Sequence, residues 1–338
     1  MHLKIYFAHI IMKKNLFIVL SPLNYYLMEY IIKYEKLDKV VVMTTKYYEN
    51  KIKEFFNPEK LILIDIPPHQ ENYIKKLLAL KKLNSINLEI KEYEKVFIPS
   101  DYNIMIQIIL KKLYYKELIY VEEGGTLFYK INEKNRNKIC EKMKLILKKI
   151  LGLELTSGIL TSKKIKKAYV YFPDFLKKYN SNINYIDLKN IVIEKNSSIK
   201  IDYNLKNCDG IILTQPLTED KICQNYEEVN VLLEYLNPQK NYYLKLHPRE
   251  KKEKYLNLLE RENIKLFPEE YNNIPYQILH SLIRPKSIIS FFSSVLFSVD
   301  SYSDKEFKRI SLVKNLNNKA ILESVEIMKR YLDDLEIH

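Results

Sequence analysis

The 338-residue chain has no tryptophan, only 5 glycines, 12 prolines and 3 cysteines. So little glycine and proline leaves no room for collagen-like or low-complexity segments. Cys140, Cys208 and Cys223 have neither CxxC nor zinc-like spacing, and their odd number argues against a disulfide framework, which points to a reducing compartment. Long apolar runs are missing as well, since none reaches the ~20 residues that a membrane span needs. The apolar N-terminus, M-H-L-K-I-Y-F-A-H-I-I, is interrupted by Lys13, Lys14 and Asn15, and no small-residue cleavage site follows. Met12 reads as an alternative start, so residues 1–11 are expected to be dispensable. No Asp-X-Asp falls at a predicted strand end: Asp333-Asp334 lies in a predicted helix, and Asp300 and Asp304 are too far apart. No metal and no cofactor are therefore expected.

What is present describes a globular chain, with 47% hydrophobic and 29% charged residues. The length exceeds a single ordinary core and suggests two domains. An excess of 55 Lys+Arg over 42 Asp+Glu gives a net charge of +13, which suits an anionic partner such as a nucleic acid or a membrane surface. The same excess, with 28 tyrosines and much Asn and Ile, also fits drift in an AT-rich genome. No RNA-binding signature sits on any predicted strand, so nucleic acid is not expected as a partner.

Strands alternate with helices along the chain. Asn15–Ser21, Lys39–Thr44, Leu61–Ile66, Lys95–Pro99 and Glu117–Val121 read as strands, with helices at 25–34, 46–56, 70–86 and 103–114. Residues 138–151 form a basic amphipathic helix with Ile139, Met143, Ile146, Leu147 and Ile150 on one stripe; its lysine face is read as solvated, with anionic lipid as the alternative. Short strands are expected at 169–172 and 191–194, and the Asn- and Ser-rich stretch 180–198 as the link between domains. A second alternation follows: strands at 209–214, 241–246, 264–267 and 287–292, and helices at 221–236, 249–262 and 275–283. A last helix runs from Lys319 to Leu335, packing on the first domain or against a second subunit. Such alternation implies crossover units and parallel sheets. The expected fold is α/β, with Rossmann-like domains over 1–190 and 200–315 and a C-terminal helix over 316–338. This layout resembles that of the GT-B glycosyltransferases, whose two domains face a central cleft.

Loops at the carboxyl ends of parallel strands are where ligands bind in such sheets. Four of them carry polar chemistry. Glu122-Glu123-Gly124 offers a base on a tight turn, or a plain acidic turn. Thr214-Gln215-Pro216 leads to Glu219 and Asp220, and Asp220 is either a helix N-cap or a free carboxylate. His247-Pro248 follows a short buried strand, with Pro248 suited to a first helical turn. Ser293-Ser294 ends another strand, where hydroxyls suit a phosphate or cap a helix.

In this order, the acidic-Gly, His-Pro and Ser-Ser motifs resemble those of the bacterial sialyltransferases, above all the lipooligosaccharide sialyltransferase family (glycosyltransferase family 52), related to the bacterial polysialyltransferases. The resemblance covers roughly 14–302. It implies an inverting, metal-independent enzyme that moves sialic acid from CMP-sialic acid to a terminal galactose of a bacterial lipooligosaccharide or surface glycan. By resemblance, His247 serves the phosphate of the CMP leaving group, Ser293 and Ser294 bind it, and Pro248 shapes the turn. The base is Asp220 first and Glu123 second, because Leu217 stands where the family places an aspartate after the proline. Gln215, Pro216, Glu122, Gly124 and Glu269 complete the donor side, with Glu269 or Glu270 facing the cytosine amino group. Asn24, Ser100 and Asp101 are the expected acceptor contacts. The implied location is cytoplasmic, peripheral on the inner face of the cytoplasmic membrane.

Two rivals stand beside this reading. One is a CDP-glycerol or polyol-phosphate transferase of cell-wall polymer synthesis, which also pairs an HP with a Ser-Ser loop. The other is a non-catalytic basic polyanion-binding protein, favoured by the charge.

Overall fold

The computed structural model describes residues 14–55, 58–64, 80–83, 88, 91–123, 138–156, 158–189, 200–224, 226–272, 274–299, 306–316 and 318–338. Expected features at Gly124, at 191–194 and over most of 70–86 lie outside them.

The chain divides into two compact units, the first comprising Met1–Glu122, Ile139–Tyr169 and Asn180–Ile186, the second the remainder. The first is built on seven strands: β1 (Asn15–Val19), β2 (Val40–Thr45), β3 (Lys60–Ile64), β4 (Glu92–Ile98), β5 (Tyr114–Val121), β6 (Ile165–Val170) and β7 (Asn184–Asp187). Their order is β3-β2-β1-β4-β5-β6-β7, and β1 to β6 pair in parallel. β1 and β2 are buried almost throughout, as strands covered on both faces must be. Between them runs the helix Pro22–Glu35, capped by Ser21, whose Oγ accepts from Asn24 N, with Pro22 in the first turn.

The second unit holds β8 (Gly210–Leu213), β9 (Tyr242–Lys245), β10 (Ile264–Leu266), β11 (Ser287–Ser290), β12 (Lys308–Ser311) and β13 (Leu335–Ile337). The order is β10-β9-β8-β11-β12-β13, again parallel. Each sheet reverses its strand order once, at β1/β4 in the first and β8/β11 in the second. Those are the switch points at which such folds bind ligands.

Four expectations need correction. The C-terminal segment is not one helix to Leu335: the helix is Lys319–Lys329, and Leu335–Ile337 pairs with β12. Arg309, buried on β12, holds the preceding turn by bonding Asp334 and donating to Val299 O at 2.6 Å. Asn184–Asp187, expected as part of the link, is a strand at the sheet edge. No helix starts at Pro248, where the chain turns before a 3-10 segment, Lys252–Tyr255.

The fourth correction concerns the helix Lys138–Ile150. Its apolar stripe faces outward: Met143 is 60% exposed, Ile146 59% and Ile150 75%. Lys148 is buried instead. Its Nζ donates to Thr156 O and Oγ1, both at 2.8 Å, and lies 4.4 Å from the centre of the Tyr102 ring. A buried ammonium with these partners escapes most of its desolvation cost, so the lysine holds the inner face.

Candidate active site

The switch point of the second sheet is tightly built. A Cβ on Gly210 would lie 2.6 Å from Ser287 Oγ and 3.0 Å from the Tyr242 ring, so only glycine lets β8 sit this close to β9 and β11. The loops that leave β8 and β11 are joined by one side chain. Gln215 Oε1 accepts from Phe292 N at 2.8 Å and from Ser290 Oγ at 3.1 Å. Ser290 also lies 2.7 Å from Leu213 O. Pro216 is buried beside Gln215 and shapes the loop.

His247 leaves β9, the other neighbour of β8. Its backbone N donates to Thr214 Oγ1 at 2.8 Å, and its Nδ1 accepts from Arg249 N at 3.2 Å. With Nδ1 an acceptor, the proton of the neutral ring sits on Nε2. Burial, and then the Arg249 charge, hold the imidazole below its ordinary pKa, against the pull of Glu250, Asp220 and Glu219. The resting side chain is thus a neutral donor through Nε2. Pro248 is exposed at the tip of the turn.

Ser293 and Ser294 follow β11, two strand spacings or about 10 Å from the end of β9. Ser293 Oγ accepts from Val295 N at 3.3 Å, which leaves its hydroxyl proton to donate. Ser294 makes no capping bond to the short helix Val295–Ser298. The loops after β9 and β11 thus put His247 and the two serines at the same edge of the sheet, on either side of β8.

Beneath the histidine lies a polar hub that sequence reasoning missed. Thr214 Oγ1 donates to Glu250, whose other oxygen accepts from Tyr255 OH at 2.6 Å and Lys254 Nζ at 2.7 Å. Lys254 Nζ also bridges Glu228 at 2.6 Å and Glu219 at 3.0 Å. Burial would lower the lysine pKa, but bonds to Glu228, Glu250 and Glu219 raise it well above normal. Glu219, Glu228 and Glu250 also form the one cluster among the described residues with metal-ligand spacing. An ammonium already occupies its centre. The i, i+4 spacing of Glu250 and Lys254 was the only signal of this hub in the sequence.

Asp220 is not an N-cap, since the next helix starts at Glu227. Arg249 grips it bidentately, Nη1 and Nη2 at 2.8 and 2.6 Å from its two oxygens. That bond, against burial, lowers the carboxyl pKa. A carboxylate held this way is a poor proton acceptor, which corrects its rank as first-choice base.

On β9, Lys245 is buried, and burial brings its pKa down to about 8. Its Nζ donates to Tyr271 O at 3.1 Å and Asn272 O at 3.2 Å, and lies 4.8 Å from the Phe267 ring centre. It thereby pins the turn Glu269–Tyr271, on which Glu269 is exposed.

The residues expected at the ends of β1, β4 and β5 fare differently. Glu122 is buried at the end of β5 and Glu123 is exposed beside it. Asp101 is 2% exposed, and its carboxylate accepts from Leu160, Thr161 and Ser162 N at 2.8–2.9 Å. It is a structural tie, not an acceptor contact. Ser100 Oγ accepts from Tyr102 N and Asn103 N at 3.3 and 3.1 Å, shaping the turn into the helix Ile104–Lys111. Asn24 accepts from Leu20 N at 3.4 Å and lines a small pocket at the β1/β4 switch point with Val19, Met28, Pro99 and Val121. There Phe17 and Phe97 stack with ring centres 4.0 Å apart.

Comparison with known proteins places this geometry. Solved structures of similar fold include a 2,6-sialyltransferase of Photobacterium sp. JT-ISH-224 in ternary complex with the donor product CMP and the acceptor lactose. It is 11% identical, with a TM-score of 0.55 and 96% of this chain and 78% of that one covered. The UDP-GlcNAc 2-epimerase of Neisseria meningitidis, bound to UDP-GlcNAc, is 13% identical with a TM-score of 0.54, covering 93% and 85%. The calicheamicin glycosyltransferase CalG4 is 8% identical with a TM-score of 0.50, covering 97% and 86%. These likenesses establish the expected GT-B type of fold. No curated protein matches the chain. Residues 5–314 match the family described as alpha-2,8-polysialyltransferase (POLYST). The motif resemblance to bacterial sialyltransferases and their polysialyltransferase relatives therefore holds, and the non-catalytic reading falls away. The chain belongs to the alpha-2,8-polysialyltransferase family, and so to the glycosyltransferases that transfer sialic acid.

Proposed function

We propose that the chain moves sialic acid from CMP-sialic acid to a sugar hydroxyl by a single inverting displacement that uses no metal. The observation that carries this is the placement of His247 after β9 and of Ser293 and Ser294 after β11, at the carboxyl ends of the two strands that flank β8, in a chain of this family. A base takes the acceptor proton as the acceptor oxygen bonds to the anomeric carbon. On the opposite face the bond to CMP breaks, and its electron pair leaves with the phosphate. Ser293 and Ser294 hydroxyls bind that phosphate, and His247 Nε2–H donates to it. A phosphate monoester has a second pKa of about 6, so it leaves readily when hydrogen-bonded and needs no full proton transfer at neutral pH. A neutral histidine is sufficient for that task. With Asp220 held by Arg249, the base is Glu123 of the acidic-Gly motif.

Metal independence is supported by Lys254, whose ammonium sits where three carboxylates converge. The acceptor follows from the sequence reading as a terminal galactose of a lipooligosaccharide or other surface glycan. The family description favours a second acceptor, the sialic acid that ends a growing 2,8-linked chain.

The test is CMP release from CMP-sialic acid, with and without excess chelator, in the presence of lactose or of a 2,8-linked oligosialic acid primer. Release accelerated by either sugar and indifferent to chelator supports the reading, and the faster sugar names the acceptor class. No release with either, or strict dependence on added metal, overturns it.

A further inference from the structure

The helix Lys138–Ile150 is inverted relative to its own periodicity. Met143, Ile146 and Ile150 share one face at three- and four-residue spacing, and all three are exposed while Lys148 points inward. Leu155, just past the helix, is 57% exposed. Exposed apolar side chains grouped in this way, with a polar rim, mark an interaction surface.

Its rim is cationic. At 100° per residue, Lys142 and Lys149 border the stripe on one side, and both are exposed. The turn carrying exposed Lys163 and Lys164 lies against the chain just after the helix, because Glu154 accepts from Ser162 Oγ at 2.7 Å and Lys163 N at 3.2 Å. Those bonds engage the Glu154 carboxylate. Methionine, isoleucine and leucine side chains flanked by lysines fit the boundary between head groups and acyl chains of an anionic bilayer. A second copy fits poorly, since a two-fold interface would set this lysine rim against itself in a chain of net charge +13. Among the described residues no helix is long and apolar enough to cross a membrane.

We propose that this outward face of the helix Lys138–Ile150, with Leu155, docks the protein on an anionic lipid surface. The inference stands apart from the catalytic reading, because none of these residues belongs to the site.

The experiment is co-sedimentation of the full chain with large unilamellar vesicles of phosphatidylethanolamine and phosphatidylglycerol, against vesicles of phosphatidylcholine alone. The wild type should bind the anionic vesicles and not the neutral ones. Ile146→Glu with Ile150→Glu should lower the partition coefficient at least tenfold with unchanged circular dichroism and melting temperature. Lys142→Gln with Lys149→Gln should lower it roughly thirtyfold at low salt, at the worth of a lysine near an anionic surface. Equal binding to both vesicles, or undiminished binding by the isoleucine variant, would overturn the proposal. So would a dimer on gel filtration that the isoleucine variant dissolves.

Discussion

The two units share one architecture and use it differently at their switch points. In the second, the strand-end loops carry His247, Thr214, Gln215, Ser293 and Ser294; His247 N bonds Thr214 between the ends of β9 and β8, and Gln215 bonds Ser290 and Phe292 between those of β8 and β11. In the first, the corresponding region is largely apolar, with Phe17 stacked on Phe97, and the nearby Asp101 is consumed by backbone N–H groups. Similar sheets thus present linked polar loops in one unit and a small, mostly apolar pocket in the other. The lesson is that a polar residue after a strand is free to meet a ligand only where the fold leaves its donors or acceptors unspent.

The largest test of that contrast is His247→Ala, expected to slow CMP release by about 10²–10³-fold, the usual worth of one hydrogen-bond donor to charge that develops in the transition state. A variant retaining more than a tenth of the rate would move the chemistry elsewhere. Next, Ser293→Ala with Ser294→Ala should reduce kcat/KM by roughly ten- to a hundredfold, the scale of hydrogen bonds to a charged group. In the first unit, Asp101→Asn should do the opposite. We expect a loss of about 1–3 kcal/mol in urea unfolding and an unchanged kcat, since one carboxylate oxygen becomes an NH2 donor that faces backbone N–H groups, while only the other remains to accept. A fall in kcat without a fall in stability would restore Asp101 to the site. Smallest is the pH effect. Because burial keeps His247 neutral, kcat/KM should not fall between about pH 6.5 and 8.5. A steep loss over that interval would mean that imidazolium is the working form. The same depressed pKa has a stability counterpart: the unfolded histidine binds the proton first, so the contribution is full above its unfolded pKa and is lost as pH falls through it towards the folded one.

Much of the second unit could be read in advance because its signals are local. Tyr242 to His247 is a short apolar strand followed by a polar turn, and nothing distant is needed to see it. The parallel sheets followed from strand–helix alternation in the same way. What escaped were features set by partners far along the chain. Glu219, Glu228, Glu250 and Lys254 meet only after β8, β9 and the intervening helix are in place. Lys308 and Arg309 open β12 with two charges, so no apolar run marks it, although Arg309 finds Asp334. Periodicity located the stripe on the helix Lys138–Ile150 but carries no sign. The inner face was decided by Thr156 and Tyr102, which together accommodate an ammonium.

Gln215 has one more consequence. Its carbonyl fastens the two loops that would flank a nucleotide phosphate before any ligand arrives. Freezing a flexible side chain at the moment of association costs about 0.5–1.5 kcal/mol, and here that entropy is surrendered during folding instead. Discrimination between donors would then rest on the shape of a pre-set cradle, and a nucleotide with a longer phosphate chain would meet walls that do not open to receive it.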